Sequence, residues 1–188
     1  LFFNAITGLS IRQDLTTLSA APFGLKARII EMIDREAERS SPGNPGSIMA
    51  KMNALCDQEV IDALYNASGK GVRIQLNVRG VCTLIPGLRG ISENISVVSV
   101  VGRYLEHARI VWFRNGGAEE LYLSSADWMP RNLEKRIEIM FPVLEERARE
   151  RITNILESYF RDNVKARKLS CSGEWSRVQA TQGSPAFS

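Results

Sequence analysis

The sequence has few of the residues that mark whole classes of protein. Its 188 residues include three cysteines and one histidine. Cys56, Cys82 and Cys171 lie too far apart for a disulfide framework or a Cys-x-x-Cys metal knuckle, so a reducing, cytoplasmic compartment is expected, with membrane association left open. With one histidine and distant cysteines, a zinc site has little support, and no metal site is predicted within the chain.

Long apolar runs and nucleotide-binding signatures are also missing. No run approaches the roughly 20 apolar residues that cross a bilayer, and no leading stretch is typical of a signal peptide. Neither Gly-x-Gly-x-x-Gly nor Gly-x-x-x-x-Gly-Lys-Ser/Thr follows a predicted strand, so Rossmann and Walker sites have no support. Lysine and arginine number 24 against 21 acidic residues, a balance that by itself favours neither nucleic acid nor a membrane. The chain begins at Leu1 rather than Met, so we expect a piece of a longer protein.

What is present is the composition of one soluble globular domain, with 44% hydrophobic and 24% charged residues. Residues 23–39 carry apolar side chains at helical spacing and predict an amphipathic helix that lies on a sheet. After a proline- and glycine-rich loop come a strand at 48–52, a helix capped by Asp57, and an alternating strand at 72–79. This order is a βαβ unit, so its two strands should run parallel.

Four further segments have the alternation or β-branched composition of strands: residues 95–101, 108–113, 119–124 and 136–141. Asn115-Gly116-Gly117 predicts a hairpin between the second and the third. The last segment places Ile137, Ile139 and Phe141 on one face.

A long amphipathic helix follows, with apolar residues from Leu144 to Tyr159 on one face. The predicted fold class is α/β, a mixed sheet of about six strands flanked by helices. Beyond residue 163 the pattern fades, and we expect residues 1–167 to form the domain and residues 168–188 a C-terminal tail.

Polar side chains end the two strands of the βαβ unit. Lys51 and Asn53 end the first strand, and Arg79 ends the second. Because ligands bind beyond the carboxyl ends of parallel strands, this edge is a candidate anion site, where arginine can grip phosphate oxygens bidentately and lysine adds a point charge. The alternative is that these are ordinary solvated strand ends.

His107, the only histidine, lies at the open end of the predicted hairpin. If the turn is centred on Gly116, His107 and Ser125 are equidistant from it, so Ser124, Ser125 and Asp127 should lie near the imidazole. A histidine with such neighbours suits acid/base chemistry or phosphate binding, although a lone histidine is often structural.

Two arginines and two aromatic residues complete the set of candidates. Arg131 and Arg136 follow the histidine cluster in sequence, where they either join the site or pair with surface glutamates. Trp112 and Phe113 lie in a predicted strand and are expected in the core rather than as a platform for bases, so no nucleic-acid partner is predicted.

His107-x-Arg109 before one strand and Ser124-Ser125-x-Asp127 after its partner resemble the half-site of the phospholipase D superfamily, which has Lys and Asn in place of Arg109 and Asp127. Longer strings resemble the C-terminal domain of the polyphosphate kinases that phosphorylate themselves on histidine. They are residues 1–8 (LFFNAITG), 51–55 (KMNAL), 78–80 (VRG), 92–95 (SENI), 101–107 (VGRYLEH), 124–132 (SSADWMPRN) and 161–167 (RDNVKAR).

The resemblance implies a phospholipase D-like half and a reversible transfer of the terminal phosphate of ATP to inorganic polyphosphate. The phosphate-carrying histidine would belong to a preceding domain that this chain lacks. His107 would assist transfer as an acid/base group or phosphate ligand, Arg79 and Arg136 would contact nucleotide phosphates, and Lys51 and Asn53 would line the same site.

The implied partners are polyphosphate, ATP or ADP as substrate, the preceding domains of the same polypeptide, and further copies in a homo-oligomer. Magnesium is expected, with its ligands mostly outside this chain. Two alternatives remain open. One is a phospholipase D-type phosphodiesterase that pairs two half-sites in a homodimer, and the other is a non-catalytic anion-binding module.

Overall fold

The computed structural model describes residues 18–103, 105–178 and 185–188, and within these ranges one mixed sheet carries three α-helices. The predicted resemblance over residues 1–8 therefore lies outside the described residues. The strands are β1 (Ser19–Ala21), β2 (Ser47–Met52), β3 (Arg73–Val78), β4 (Ile95–Ser99), β5 (Ile110–Phe113), β6 (Glu120–Ser124), β7 (Glu138–Pro142), β8 (Arg167–Leu169) and β9 (Trp175–Arg177). The helices are α1 (Leu25–Arg39), α2 (Gln58–Gly69) and α3 (Glu146–Arg161).

The strands are ordered β1-β7-β6-β5-β2-β3-β4-β8-β9. β3 runs parallel to both β2 and β4, whereas β5 is antiparallel to β2. This confirms the predicted βαβ unit and the α/β class. Asp57 caps α2 as predicted, because its carboxylate accepts a hydrogen bond from the backbone N–H of Val60 at 3.2 Å.

The two faces of the sheet are covered differently. α1 and α2 pack on one face, where the even-numbered side chains of β2 and β3 join the larger core. α3 packs on β2 and β3 from the other face, over a smaller core that contains Trp112 and Leu156. Because side chains alternate along a strand, Lys51 and Asn77 lie on the face that α3 covers. Trp112 and Phe113 are buried in these cores, as predicted.

The hairpin between β5 and β6 has a longer turn than the prediction assumed. Phe113 pairs with Glu120, so six residues connect the strands and the centre falls between Gly116 and Gly117 rather than on Gly116. The register is shifted by one residue, and the predicted opposition of His107 and Ser125 is wrong. A one-residue slip reverses which side chains share a face.

The buried face of β7 is the one opposite to the face that carries its alternating apolar residues. Glu138 and Met140 are the buried residues, whereas Ile137 and Phe141 are 53% and 40% exposed. Met140 joins the core beneath α1, while α3 lies over β2 and β3 and leaves the other face of β7 uncovered.

Three strands were not predicted. β1, β8 and β9 have three residues each, too few to show an alternating pattern. β8 pairs with β4, and β9 pairs with β8, so the chain after residue 167 continues the edge of the sheet. Within the described ranges, no helix combines the length and apolar character that crossing a bilayer requires.

Candidate functional site

The predicted site residues meet at one end of the sheet. β2 and β3 finish there side by side, with Lys51 in register with Asn77, and β5 begins there because it runs antiparallel to β2. Arg79 follows β3 directly, and its backbone N–H donates to the carbonyl of Met52 at 3.2 Å. This is the edge at which α/β sheets bind ligands.

Lys51 is fully buried beneath the segment that carries His107. Its Nζ donates to the backbone carbonyls of Glu106 and Ala108, at 2.8 and 3.3 Å. Burial, and then the nearby positive charge of Arg79, lower the pKa of Lys51 to about 8. Lys51 and Arg79 thus lie at the same end of two neighbouring parallel strands.

Two buried asparagines offer amide groups that nothing in the described part of the chain satisfies. Asn53 is 9% exposed and Asn77 is fully buried, and in both the side-chain oxygen and nitrogen lack a hydrogen-bond partner. An unpartnered buried amide is costly, and such groups in native structures commonly meet a ligand or water. Asn77 was missed from the sequence, although its position two residues before Arg79 puts both on one face of the strand.

His107 lies in an exposed, irregular segment before β5 and contacts Arg109 rather than the predicted serines. The Arg109 Nη1 is 2.9 Å from the imidazole Nδ1, and Nη2 is 3.2 Å from Nε2. The hydroxyl of Ser124 donates to the carbonyl of Ile139, and that of Ser125 donates to Glu138. Both serine hydroxyls therefore donate to partners other than the imidazole.

Asp127 reaches His107 through Arg109. Its carboxylate accepts from Arg109 Nη2 at 2.9 Å and Nε at 3.2 Å, and from the backbone N–H of Asn53 at 2.7 Å. Burial alone would raise the pKa of Asp127, but the hydrogen bonds from Arg109 and Asn53 bring it below its usual value. Asp127 is thus an ionised anchor that ties the end of β2 to the guanidinium beside His107.

Arg136 is exposed just before β7, at the same end of the sheet as His107. β7 is three strands from β2, about 14 Å at ordinary strand spacing, and two strands from β5. The predicted alternative partners are engaged elsewhere, because Glu134 pairs with Lys26 and Glu138 accepts from Asn132.

Comparison with known proteins gives one consistent family. The model of the polyphosphate kinase C-terminal domain 2 matches residues 18–188. The chain is 53% identical over 179 residues to a polyphosphate kinase of Rhodopirellula baltica, covering 95% of the chain and 21% of that protein. It is 50% identical over 179 residues to the polyphosphate kinase of Pseudomonas aeruginosa, covering 95% of the chain and 26% of that protein.

Solved structures agree with this family, and they also show that the fold is similar to that of a phospholipase D family member. The crystal structure of polyphosphate kinase from Porphyromonas gingivalis has a TM-score of 0.92 at 41% identity, over 98% of this chain and 28% of that one. The phospholipase D family member Nuc from Salmonella typhimurium has a TM-score of 0.60 at 13% identity, over 81% of this chain and 96% of that one, so the phospholipase D-like fold is shared. The chain spans about a quarter of the length of the polyphosphate kinases it matches. It belongs to the polyphosphate kinase C-terminal domain 2 family.

Proposed function

We propose that the chain forms the C-terminal catalytic half of an ATP:polyphosphate phosphotransferase. The enzyme would reversibly transfer the terminal phosphate of ATP to inorganic polyphosphate, through a phosphohistidine carried by a preceding domain. The observation that carries the proposal is the meeting of Lys51, Arg79, His107 and Arg109 at one sheet end, in a chain half identical to polyphosphate kinases.

The proposed chemistry is positioning and charge neutralisation, which dominate phosphoryl transfer. Arg79, partly exposed at its strand end, would bind phosphate oxygens as a bidentate fork, and exposed Arg136 would reach a more distant phosphate. His107 would act as an acid/base group or phosphate ligand. The free amide of Asn53 would donate to the same anion, while buried Lys51 contributes its charge from below.

A basic groove leads away from Arg79 and offers room for a polyanion. The groove has a volume of about 520 Å³, and its lining includes Lys165, Arg167, Trp175 and Arg177 as well as Arg79. Among the residues that the structure describes, the lining contains no carboxylate. A linear chain of phosphates, with about one negative charge on each unit, matches such a surface.

Magnesium belongs to the proposal with its ligands mostly outside this chain. Across the described ranges, no three histidine, cysteine, aspartate or glutamate side chains come together in a group that could hold a metal ion. No step of the proposed reaction is therefore assigned to a metal ion held by the described residues. ATP or ADP, polyphosphate, the preceding domains and further copies of the polypeptide are the proposed partners, in a cytoplasm that suits the three free thiols.

Titration calorimetry of the 188-residue chain with polyphosphate, at two salt concentrations, tests the anion site. We expect salt-sensitive binding that Arg79→Ala and His107→Ala weaken. Arg73→Ala is the matched control, because Arg73 is an exposed arginine at the opposite end of the same strand. Equal binding by the wild type and all three variants would overturn the assignment.

A second assay distinguishes phosphoryl transfer from the two alternatives, phosphodiester hydrolysis and non-catalytic anion binding. In a polyphosphate kinase that contains this chain, Arg79→Ala should lower kcat/KM by a factor that corresponds to about 2 to 4 kcal/mol. Phosphodiesterase activity lost in His107→Ala would instead favour the phospholipase D-type reaction. Unchanged kinetics in both variants would favour a non-catalytic anion-binding module.

A further inference from the structure

His107 lies in a segment that forms no helix or strand in its described part. β4 ends at Ser99 and β5 begins at Ile110, and the residues between them include exposed Val101 and Leu105. A side chain in such a segment points in a fixed direction only if other groups hold its backbone. Lys51 and Arg109 hold this backbone directly, and Tyr159 from helix α3 bonds the side chain of Glu106.

Three consecutive carbonyls around His107 each accept a hydrogen bond from a cation. Lys51 Nζ donates to the carbonyls of Glu106 and Ala108, on either side of the histidine. Arg109 Nη1 donates to the carbonyl of His107 itself at 2.9 Å. Hydrogen bonds to charged donors are among the stronger ones in proteins, so this backbone is held from both directions.

Helix α3 supplies a second connection to the same point. The hydroxyl of Tyr159 donates to Glu106 Oε2 at 2.7 Å, and Lys51 Nζ lies 5.7 Å from the centre of the Tyr159 ring. Burial, and then the hydrogen bond to Glu106, raise the pKa of the Tyr159 hydroxyl, which keeps it a donor. Lys51, Glu106 and Tyr159 thus form one connected group, here named the His107 clamp.

We propose that Lys51 and Tyr159 are positioning residues, which hold the backbone on both sides of His107 so that its imidazole faces the anion site. The proposal deepens the proposed function, on which it rests. Lys51 has no solvent-exposed surface and both of its hydrogen bonds end on this segment, so its principal effect on the imidazole is mechanical. Tyr159 links that effect to the packing of α3 on the sheet.

The chain has a single histidine, so one imidazole signal in an NMR spectrum reports on His107 alone. The principal variant is Tyr159→Phe, which keeps the ring over Lys51 and removes only the hydroxyl. Tyr65→Phe is the matched control, because the Tyr65 hydroxyl also makes one hydrogen bond, accepting from the N–H of Ile85 at 2.9 Å, far from His107 in the fold. Each variant is first compared with the wild type by its amide spectrum.

We expect the backbone order parameters of residues 106–108 to fall from about 0.85 towards 0.6 in Tyr159→Phe and to stay unchanged in Tyr65→Phe. The shift of the imidazole signal on adding tripolyphosphate should shrink at least roughly threefold in Tyr159→Phe only. In a polyphosphate kinase that contains the chain, the same variant should lower kcat at least roughly threefold with KM little changed, since it touches no substrate.

Equal order parameters in Tyr159→Phe and Tyr65→Phe would overturn the clamp, whatever His107 does in catalysis. Lys51→Met tests the clamp independently. It removes the donor to the carbonyls of Glu106 and Ala108 while keeping an unbranched side chain. A different result would separate the clamp from the proposed function. If tripolyphosphate does not shift the wild-type imidazole signal, but Tyr159→Phe still lowers the order parameters of residues 106–108, the anion role of His107 is refuted and the clamp stands.

Discussion

Replacing Lys51 by methionine should change how the stability of the chain depends on pH. Lys51 is fully buried, and burial lowers its pKa to about 8 from the ordinary 10.5. Between these two values the unfolded chain holds a proton that the folded chain has released. Stability therefore rises with pH across this window, because the unfolded state binds more protons there.

The size of the effect follows from the two pKa values. A difference of about 2.5 units corresponds to about 3 kcal/mol in full, of which about 2 kcal/mol develops between about pH 7 and about pH 9.5. Other titrating groups oppose this rise of stability with pH. Burial raises the pKa of Cys82 to about 11, and it also raises the pKa of Tyr159, so their folded forms hold protons longer and stability falls as pH rises. Only the difference between wild type and variant isolates Lys51.

Urea unfolding of the wild type and Lys51→Met, followed by tryptophan fluorescence, measures that difference at each pH. We expect the wild type to gain about 2 kcal/mol on the variant as pH rises from about 7 to about 9.5. The part of the difference in free energy of unfolding that does not depend on pH reflects the loss of the donor to the carbonyls of Glu106 and Ala108. If the two stability curves stay parallel to within about 0.5 kcal/mol, the Lys51 amine does not titrate in this window and the reasoning fails.

Three further predictions concern other residues. Asp127→Asn, which leaves the largely buried Arg109 without its ion pair, should lower the free energy of unfolding by roughly 3 kcal/mol or more in urea, and a loss below about 1 kcal/mol would contradict the anchor. Asp57→Ala should cost about 1 kcal/mol through the lost cap of α2, and an unchanged urea midpoint would argue against it. With a disulfide reagent near neutral pH, exposed Cys171 should react first and Cys82, with its raised pKa, last; the reverse order, found by mass spectrometry, would refute this.

The end of the sheet that carries the candidate site could be predicted, because a βαβ unit fixes the direction of two strands. That is why Lys51 and Arg79 lie at one edge as expected. The surroundings of His107 could not be predicted. Its segment has no periodic pattern, and the hairpin register depends on a turn one residue longer than the glycine pair indicates. Tyr159 reaches the site from a helix about 50 residues away in sequence, a contact that only the tertiary structure reveals.

Polarity on the α3 face of β2 and β3 increases towards the candidate site. Met49 at the far end of β2 packs in the core beneath α3, whereas Lys51 and Asn53 follow at the next alternate positions. The opposite face stays apolar to the last residue, Met52. A buried ammonium and amide groups without partners each cost stability, on the order of 1 to 3 kcal/mol for an unpaired amide. An apolar residue would serve the fold better at these positions, so the polarity of Lys51, Asn53 and Asn77 supports the proposed anion site and the clamp beside it.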